Sequence, residues 1–271
     1  MSPRWTALSG THIGSVHVRE DLPLQDAHEV RVDEHSAVAV VADGHGHHVH
    51  FRSDVGARLA VRIAADLLAD AAPHLTAVRG EEVLAGVGAA LVERWTAEVL
   101  EHLRDHPVEP AVAARGALLP YGTTIVAMVA TDDLLGVLQV GDGDAVVVGA
   151  DGRAARPLPE DPALDGTRTT SLCQEDPLDA LRVAVVDTGA DDVALAYVCT
   201  DGFSAARVDP DGWWQQTGAE LVAFTREHGV AWVAERLPGW LEEPARIGGD
   251  DTTLALLVRT DLPRWSSSDE R

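Results

Sequence analysis

The chain has 271 residues, 46% of them apolar, enough for one large core or two small ones. A formal net charge of −23, with arginine supplying all 21 basic residues, argues against nucleic acid or anionic lipid as a partner. No apolar run approaches the roughly 18–20 residues of a membrane span, and the start lacks the basic-then-apolar layout of a signal peptide. Two cysteines, Cys173 and Cys199, are too few for a disulfide framework or a zinc cluster. A soluble, cytoplasmic protein with reduced thiols is the expectation.

In chain order, Arg4 to Leu8 reads as a short strand, followed by a loop around Gly10 and Gly14. Pro23 argues against regular structure just before Gln25-Asp26. Ala27 to Val32 predicts a strand, and Asp33 to His35 a hairpin turn. Val38 to Ala42 is short, β-branched and uninterrupted, which suits a strand buried on both faces. It stops at Asp43-Gly44-His45-Gly46. Ser53 to Ala71 has helical apolar spacing, with Ser53 as its N-cap and Pro73 ending it. Glu81 to His106 predicts a longer helix, and Pro107 to Pro120 a linker within the domain.

The period then changes. Gly122 to Ala130, Leu134 to Val140 and Ala145 to Val148 predict successive strands, with acidic Gly-rich turns between them. Asp151 to Ala180 reads as a loop. Arg182 to Val186 and Val193 to Thr200 predict strands, Gly218 to His228 and Val230 to Trp240 helices, and Thr253 to Val258 a last strand. Strands and helices do not alternate as in a parallel sheet. The order predicts an α+β fold, two mostly antiparallel sheets stacked and flanked by helices. One domain over residues 1–265 is expected, with a frayed tail at 266–271.

Several apolar strands meet an acid beside a glycine: Asp43-Gly44, Gly141-Asp142, Asp201-Gly202 and Gly249-Asp250. Strand ends from distant parts of the chain can converge at one edge, where unpaired carboxylates raise one another's pKa. Divalent cations would offset that repulsion. All-oxygen ligation points to Mg²⁺ or Mn²⁺ rather than zinc. Two such ions can activate one bridging water for attack on phosphorus.

The chain resembles the metal-dependent protein phosphatases, the type 2C serine/threonine phosphatase family, in a bacterial form. The matching pieces are Gln25-Asp26-Ala27, Asp43-Gly44-His45-Gly46, Gly122-Thr123-Thr124, Val140-Gly141-Asp142, Thr200-Asp201-Gly202 and Asp250-Asp251-Thr252-Thr253, in the family's order. The resemblance implies a four-layer αββα sandwich with a binuclear metal centre at one end. It implies that Asp43 bridges two Mn²⁺ or Mg²⁺ ions, that the Gly44 carbonyl ligates one, and that Asp201 and Asp250 ligate the other. Asp142, with Asp201, would serve a third, weaker ion. His45 would be the general acid for the leaving seryl or threonyl oxygen. The substrate would be a phosphoprotein, and a cognate Ser/Thr kinase is an expected partner.

Three departures stand out. Gln25 replaces the family's usual Glu, so the second ion should be held less firmly. The usual phosphate-clamping Arg is His17, with Arg19 two residues on and pointing the same way along a strand, so either could meet the phosphate. The usual Asn after the last ligand is Asp251, read with Gln25 and Asp26 as support behind the ligands. These departures motivate a rival expectation: a feeble or inactive pseudophosphatase that docks a kinase or signalling partner. His47, His48 and His50 are expected on an exposed loop, and Trp213-Trp214 in a hairpin, core or recognition surface.

Overall fold

A computed structural model describes residues 3–261 apart from 162–163, 165–168, 191, 208 and 210–211; the side chains of 112–113 are also outside the description. The predicted tail at 266–271 lies outside the described residues.

Ten strands form two five-stranded sheets among the described residues. The first sheet holds β1 (Trp5–His12), β6 (Asp144–Gly149), β7 (Ala154–Ala155), β9 (Val193–Cys199) and β10 (Thr252–Arg259), in the order β1-β10-β9-β6-β7. The second holds β2 (Ala27–Val32), β3 (Ala37–Ala42), β4 (Ile125–Ala130), β5 (Leu134–Val140) and β8 (Arg182–Asp187), in the order β2-β3-β4-β5-β8. Every pairing is antiparallel.

The uninterrupted apolar strands have two buried faces because each sheet is sandwiched. In β3, Ala37, Ala39 and Val41 point to the facing sheet, where they meet Ala196, Val198, Ala255 and Leu257. The alternate residues Val38, Val40 and Ala42 pack on α2 (Ser53–Ala71) and α3 (Gly80–Asp105) through Ile63, Leu68, Leu84 and Leu91. The outer face of the first sheet packs on α6 (Trp213–His228) and α7 (Val230–Gly248), with Tyr197 and Leu256 against Trp213, Leu237 and Leu241. The layers are therefore αββα, as expected. Each buried Val or Leu contributes roughly 1.5–3 kcal/mol. Many such side chains outweigh the cost of the few carboxylates buried at the strand ends.

Several sequence expectations need correction. Gly10 lies inside β1, not in a loop; a Cβ there would come 3.2 Å from Leu241 Cδ1, so this glycine marks the close approach of α7. The segment after Gly14 is a helix, α1 (Ser15–Glu20), not a strand. Residues two apart on a helix point nearly opposite ways. His17 is accordingly buried, while Arg19 faces solvent beside Glu20. Ser53 starts α2 without capping it, because its hydroxyl is engaged by Gln25. The predicted Gly122–Ala130 strand narrows to β4, although Thr123 still bridges Gly44. The linker carries a short helix, α4 (Pro110–Ala113), and the Asp151–Ala180 loop carries β7.

Near the C-terminal end, α5 (Asp201–Ser204) follows β9 directly. Helix α6 begins five residues earlier than the pattern predicted, at Trp213, which is buried against Phe203 and Tyr197 rather than set in a hairpin. Helix α7 runs past Trp240 and through Pro238 and Pro244, because Leu237, Leu241, Pro244 and Ala245 keep a continuous buried face.

Register gathers the chemistry at one end. Ala42 pairs with Ala27, Ile125 with Val140, Cys199 with both Leu254 and Asp144, and His12 with Thr252. The end of β3, the β5–β6 turn, the end of β9 and the start of β10 thus share one edge of the sandwich.

Candidate metal centre

Asp43, Asp142 and Asp201 each offer a carboxylate oxygen, and these oxygens lie within 4.8 Å of one another. They come from the end of β3, the turn after β5 and the start of α5, separated by most of the chain. Asp43 is fixed at its backbone. Its N–H donates to Thr124 Oγ1 at 3.1 Å, and its carbonyl accepts from Thr123 Oγ1 and the Thr124 N–H, both at 2.9 Å. The Gly122-Thr123-Thr124 segment is thus the clamp that sets Asp43. The turn bearing Asp142 is held by Arg182, whose Nη2 donates to the Gly141 carbonyl at 2.7 Å, and by Gln139, whose amide donates to the same oxygen at 3.0 Å. Gly141 has φ of +111°, which favours glycine.

Glycines also let the loops touch. A Cβ on Gly202 would lie 2.0 Å from the Asp251 carbonyl oxygen, and one on Gly14 2.3 Å from that of Gly249. Neither position accommodates alanine without moving a metal-side loop.

Electrostatics bear out the crowding. Burial, then the neighbouring charges of Asp26 and Asp201, pushes the Asp43 carboxyl well above the usual carboxylate range. Burial also raises Asp201, with Asp142 and Asp250 adding to it, and Asp43 and Asp201 are close enough to share a proton. Asp250 is raised by loss of solvent, although its outer edge stays open. Asp201 Oδ1 is buried without a hydrogen-bond partner. Buried like charges and an orphaned oxygen are the pattern that divalent cations relieve.

Behind this centre, Asp251 does more than orient Asp250. Its side chain, 2% exposed, accepts the Gly14 N–H at 2.8 Å on Oδ1 and the Gln25 N–H at 2.6 Å on Oδ2, so it ties three loops together. The Asp251 N–H in turn donates to Asp250 Oδ1 at 2.8 Å. Asp26 Oδ2 accepts from Thr200 and Thr253, joining the two sheets. Gln25 donates its amide to Ser53 Oγ at 2.7 Å.

His45 Nε2 shares a 2.8 Å hydrogen bond with Ser171 Oγ, and its ring packs edge-on to His50. Burial, then the His50 charge, lowers its pKa to about 4. His47 and His48 are exposed, as expected, but His50 is not: it is half-buried at the end of a 3₁₀ turn, His48–His50, and donates Nδ1–H to the Leu119 carbonyl. Burial pushes the Cys173 thiol up, so it is not an activated thiolate.

Residues 13–242 match the protein phosphatase 2C family. The chain belongs to that family. The phosphatase 2C fold is also seen by structural comparison, at identities that speak to the fold alone. Stp1, the serine/threonine phosphatase from Staphylococcus aureus, superposes with a TM-score of 0.63 at 13% identity, covering 95% of this chain and 96% of that one. The catalytic domain of the serine/threonine phosphatase PstP, solved with two manganese ions, gives 0.55 at 17% identity, covering 94% and 97%. PppA, described as a key regulatory component of T6SS in Pseudomonas aeruginosa, gives 0.58 at 18% identity, covering 95% and 99%. A search of curated proteins finds no match.

Within this phosphatase 2C chain, the closest carboxylate trio includes Asp142, which the resemblance assigned to the weaker ion, and not Asp250. Asp250 still acts electrostatically on both Asp43 and Asp201. Sequence reasoning missed the hydroxyls of Ser53, Ser171, Thr200 and Thr253 as partners of Gln25, His45 and Asp26. Thr200 and Thr253 sit within the acidic motifs themselves. Ser53 and Ser171 carried no such signal.

Proposed function

We propose that this chain hydrolyses phosphoserine or phosphothreonine on a protein substrate, using two divalent cations, Mn²⁺ or Mg²⁺. The observation that carries the reading is the meeting of Asp43, Asp142 and Asp201 within 4.8 Å, with Asp250 beside them. These residues and the Gly44 carbonyl would hold the ions. When bound, such ions supply an acidified water and charge stabilisation for phosphoryl transfer. The chain's own part is to fix the carboxylates, through Thr123, Thr124, Arg182 and Asp251, so that little reorganisation accompanies the reaction. His45 would protonate the leaving oxygen once its imidazole turns from Ser171. The likeness to PstP and Stp1 supports a phosphoprotein substrate, and a cognate Ser/Thr kinase fits that chemistry.

A pseudophosphatase reading draws on two observations: Gln25 is uncharged, and Arg19 pairs outward with Glu20 instead of facing the acids. Calorimetry with Mn²⁺, followed by phosphopeptide hydrolysis, separates the two. Binding below millimolar concentration, with turnover abolished by Asp201→Asn, supports the enzyme. No binding in that range, or turnover indifferent to Asp201→Asn, overturns it.

A further inference from the structure

Two buried side chains beside the acidic centre are left chemically incomplete. Gln25 is 5% exposed and His17 6%. Gln25 Nε2 is engaged by Ser53 Oγ at 2.7 Å and leans toward the His45 carbonyl at 3.5 Å. A carbonyl only accepts, so the amide orientation is fixed with Oε1 on the far side. That Oε1 has no hydrogen-bond partner. His17 is caught between two carboxylates: Nε2 lies 3.4 Å from Asp250 Oδ1 and Nδ1 3.0 Å from Asp251 Oδ1. Despite that short distance, Nδ1 lies off the line a hydrogen bond needs and is also unpartnered.

Both groups front the same opening. A Cβ on Gly46 would have Gln25 Oε1 at 3.8 Å and His17 Nε2 at 3.9 Å as its nearest outside neighbours, and Gly46 itself is exposed. An amide oxygen, an imidazole nitrogen and the solvent-open Asp250 carboxylate therefore border one accessible space. Burying an acceptor such as Gln25 Oε1, or a ring nitrogen such as His17 Nδ1, without a partner is unfavourable. A cation taking Gln25 Oε1 and His17 Nε2 would give the amide oxygen its missing partner. It would also let the ring settle with its Nδ1–H on Asp251, the carboxylate support that metal-bound imidazoles use.

We infer that His17 is a metal ligand: with Gln25 Oε1 and Asp250 it forms a mixed nitrogen–oxygen site for a divalent transition-metal ion. The inference rests on the two-cation reading above and assigns one of those cations. An imidazole nitrogen favours Mn²⁺, Co²⁺ or Zn²⁺ over Mg²⁺, whose preference is for oxygen alone. His17 is thereby withdrawn from any direct role in holding phosphate, and the chain's cation selectivity follows from it.

The test is pulsed EPR on the full metal-free chain with up to two equivalents of Mn²⁺. Nitrogen-14 modulation from a directly bound imidazole is expected, lost in His17→Gln and retained in His45→Ala. Calorimetry should show His17→Gln weakening one of two Mn²⁺ sites by about ten- to a hundredfold while changing Mg²⁺ affinity little. Two bound Mn²⁺ with intact hydrolysis but no nitrogen coupling overturns the inference and leaves the phosphatase reading standing. Coupling that survives His17→Gln overturns it as well. Failure to bind Mn²⁺ below millimolar concentration removes both. Should His17→Gln fail to fold, a Mn²⁺-soaked crystal of the unaltered protein decides. An ion within about 2.5 Å of His17 Nε2 supports the assignment, and one farther away overturns it.

Discussion

The Thr253 hydroxyl donates to Asp26 Oδ2 at 2.7 Å, joining the residue that leads into the first strand of one sheet to the last strand of the other. Thr200 donates to the same oxygen at 2.8 Å, and Thr253 also meets Thr11 at 2.8 Å. Asp26 is buried, and burial pushes its carboxyl well above the ordinary range despite both hydroxyls. Its place is structural: it sets the distance between sheets at the end where the acids converge. Thr253→Val should therefore destabilise the metal-free protein by about 1.5–3 kcal/mol, the value of a buried hydrogen bond to a charged or polar partner. Urea unfolding measures it, and a change below about 0.5 kcal/mol would contradict this role.

The acidic centre links stability to pH. Burial and mutual repulsion raise the folded-state pKa values of Asp43, Asp201 and Asp250 above the unfolded values. Between those limits the folded chain binds more protons than the unfolded one. The cluster's contribution to stability is consequently fully present only below the unfolded carboxylate pKa and is lost as pH rises from there through the folded pKa values. Divalent cations compete with those protons. Thermal unfolding should thus show a Mn²⁺-induced rise in Tm that grows from pH 5 to pH 8. A rise that is flat or shrinks over that interval would mean that the carboxylates are not the binding groups.

Removing one charge should separate stability from activity. Asp43→Asn relieves the burial of charge and the repulsion with Asp26 and Asp201, so the metal-free variant should be more stable than the unaltered chain at pH 8. The same change removes a carboxylate from the closest trio, and turnover should drop by at least about a hundredfold. Chemical denaturation with EDTA and a phosphopeptide assay with Mn²⁺ give the two readings. A variant both less stable and fully active would contradict the placement of Asp43.

Much of the fold was legible because burial on two faces leaves an unmistakable composition: β3, β4, β5 and β9 are buried at every position and, apart from Gly136 and Gln139 in β5, apolar. The end of the sandwich was legible too, since β3, β5 and β9 each run into an acid beside a glycine. What did not show was orientation. Six residues of helix in α1 carry no periodic signal long enough to distinguish helix from strand, so His17 and Arg19 looked like neighbours on one face. Asp251 looked like a modest substitution, yet its two oxygens accept backbone N–H groups from loops more than two hundred residues away. Contacts of that kind depend on loop closure across the whole chain, which local pattern does not encode.

The His45–Ser171 hydrogen bond makes a prediction about proton supply. With its pKa lowered to about 4, chiefly by burial, the His45 imidazole is neutral at pH 7 in the metal-free protein. An NMR titration should place its midpoint near 4, well below an unperturbed histidine. Because the unfolded chain takes up this proton first, stability is lost as pH falls from about 6.5 toward 4, by about 3 kcal/mol at most. The ring must turn from Ser171 to act as an acid. Ser171→Ala should then move the midpoint upward, while His45→Gln flattens the acid-side loss of stability. In assays, His45→Gln should slow phosphopeptide hydrolysis about 10²-fold or more, an alkoxide leaving group needing its proton. It should leave p-nitrophenyl phosphate hydrolysis nearly unchanged, because that leaving group departs unprotonated. Equal loss on both substrates would show that His45 acts by holding the Gly122 and Ser171 loops in place and donates no proton.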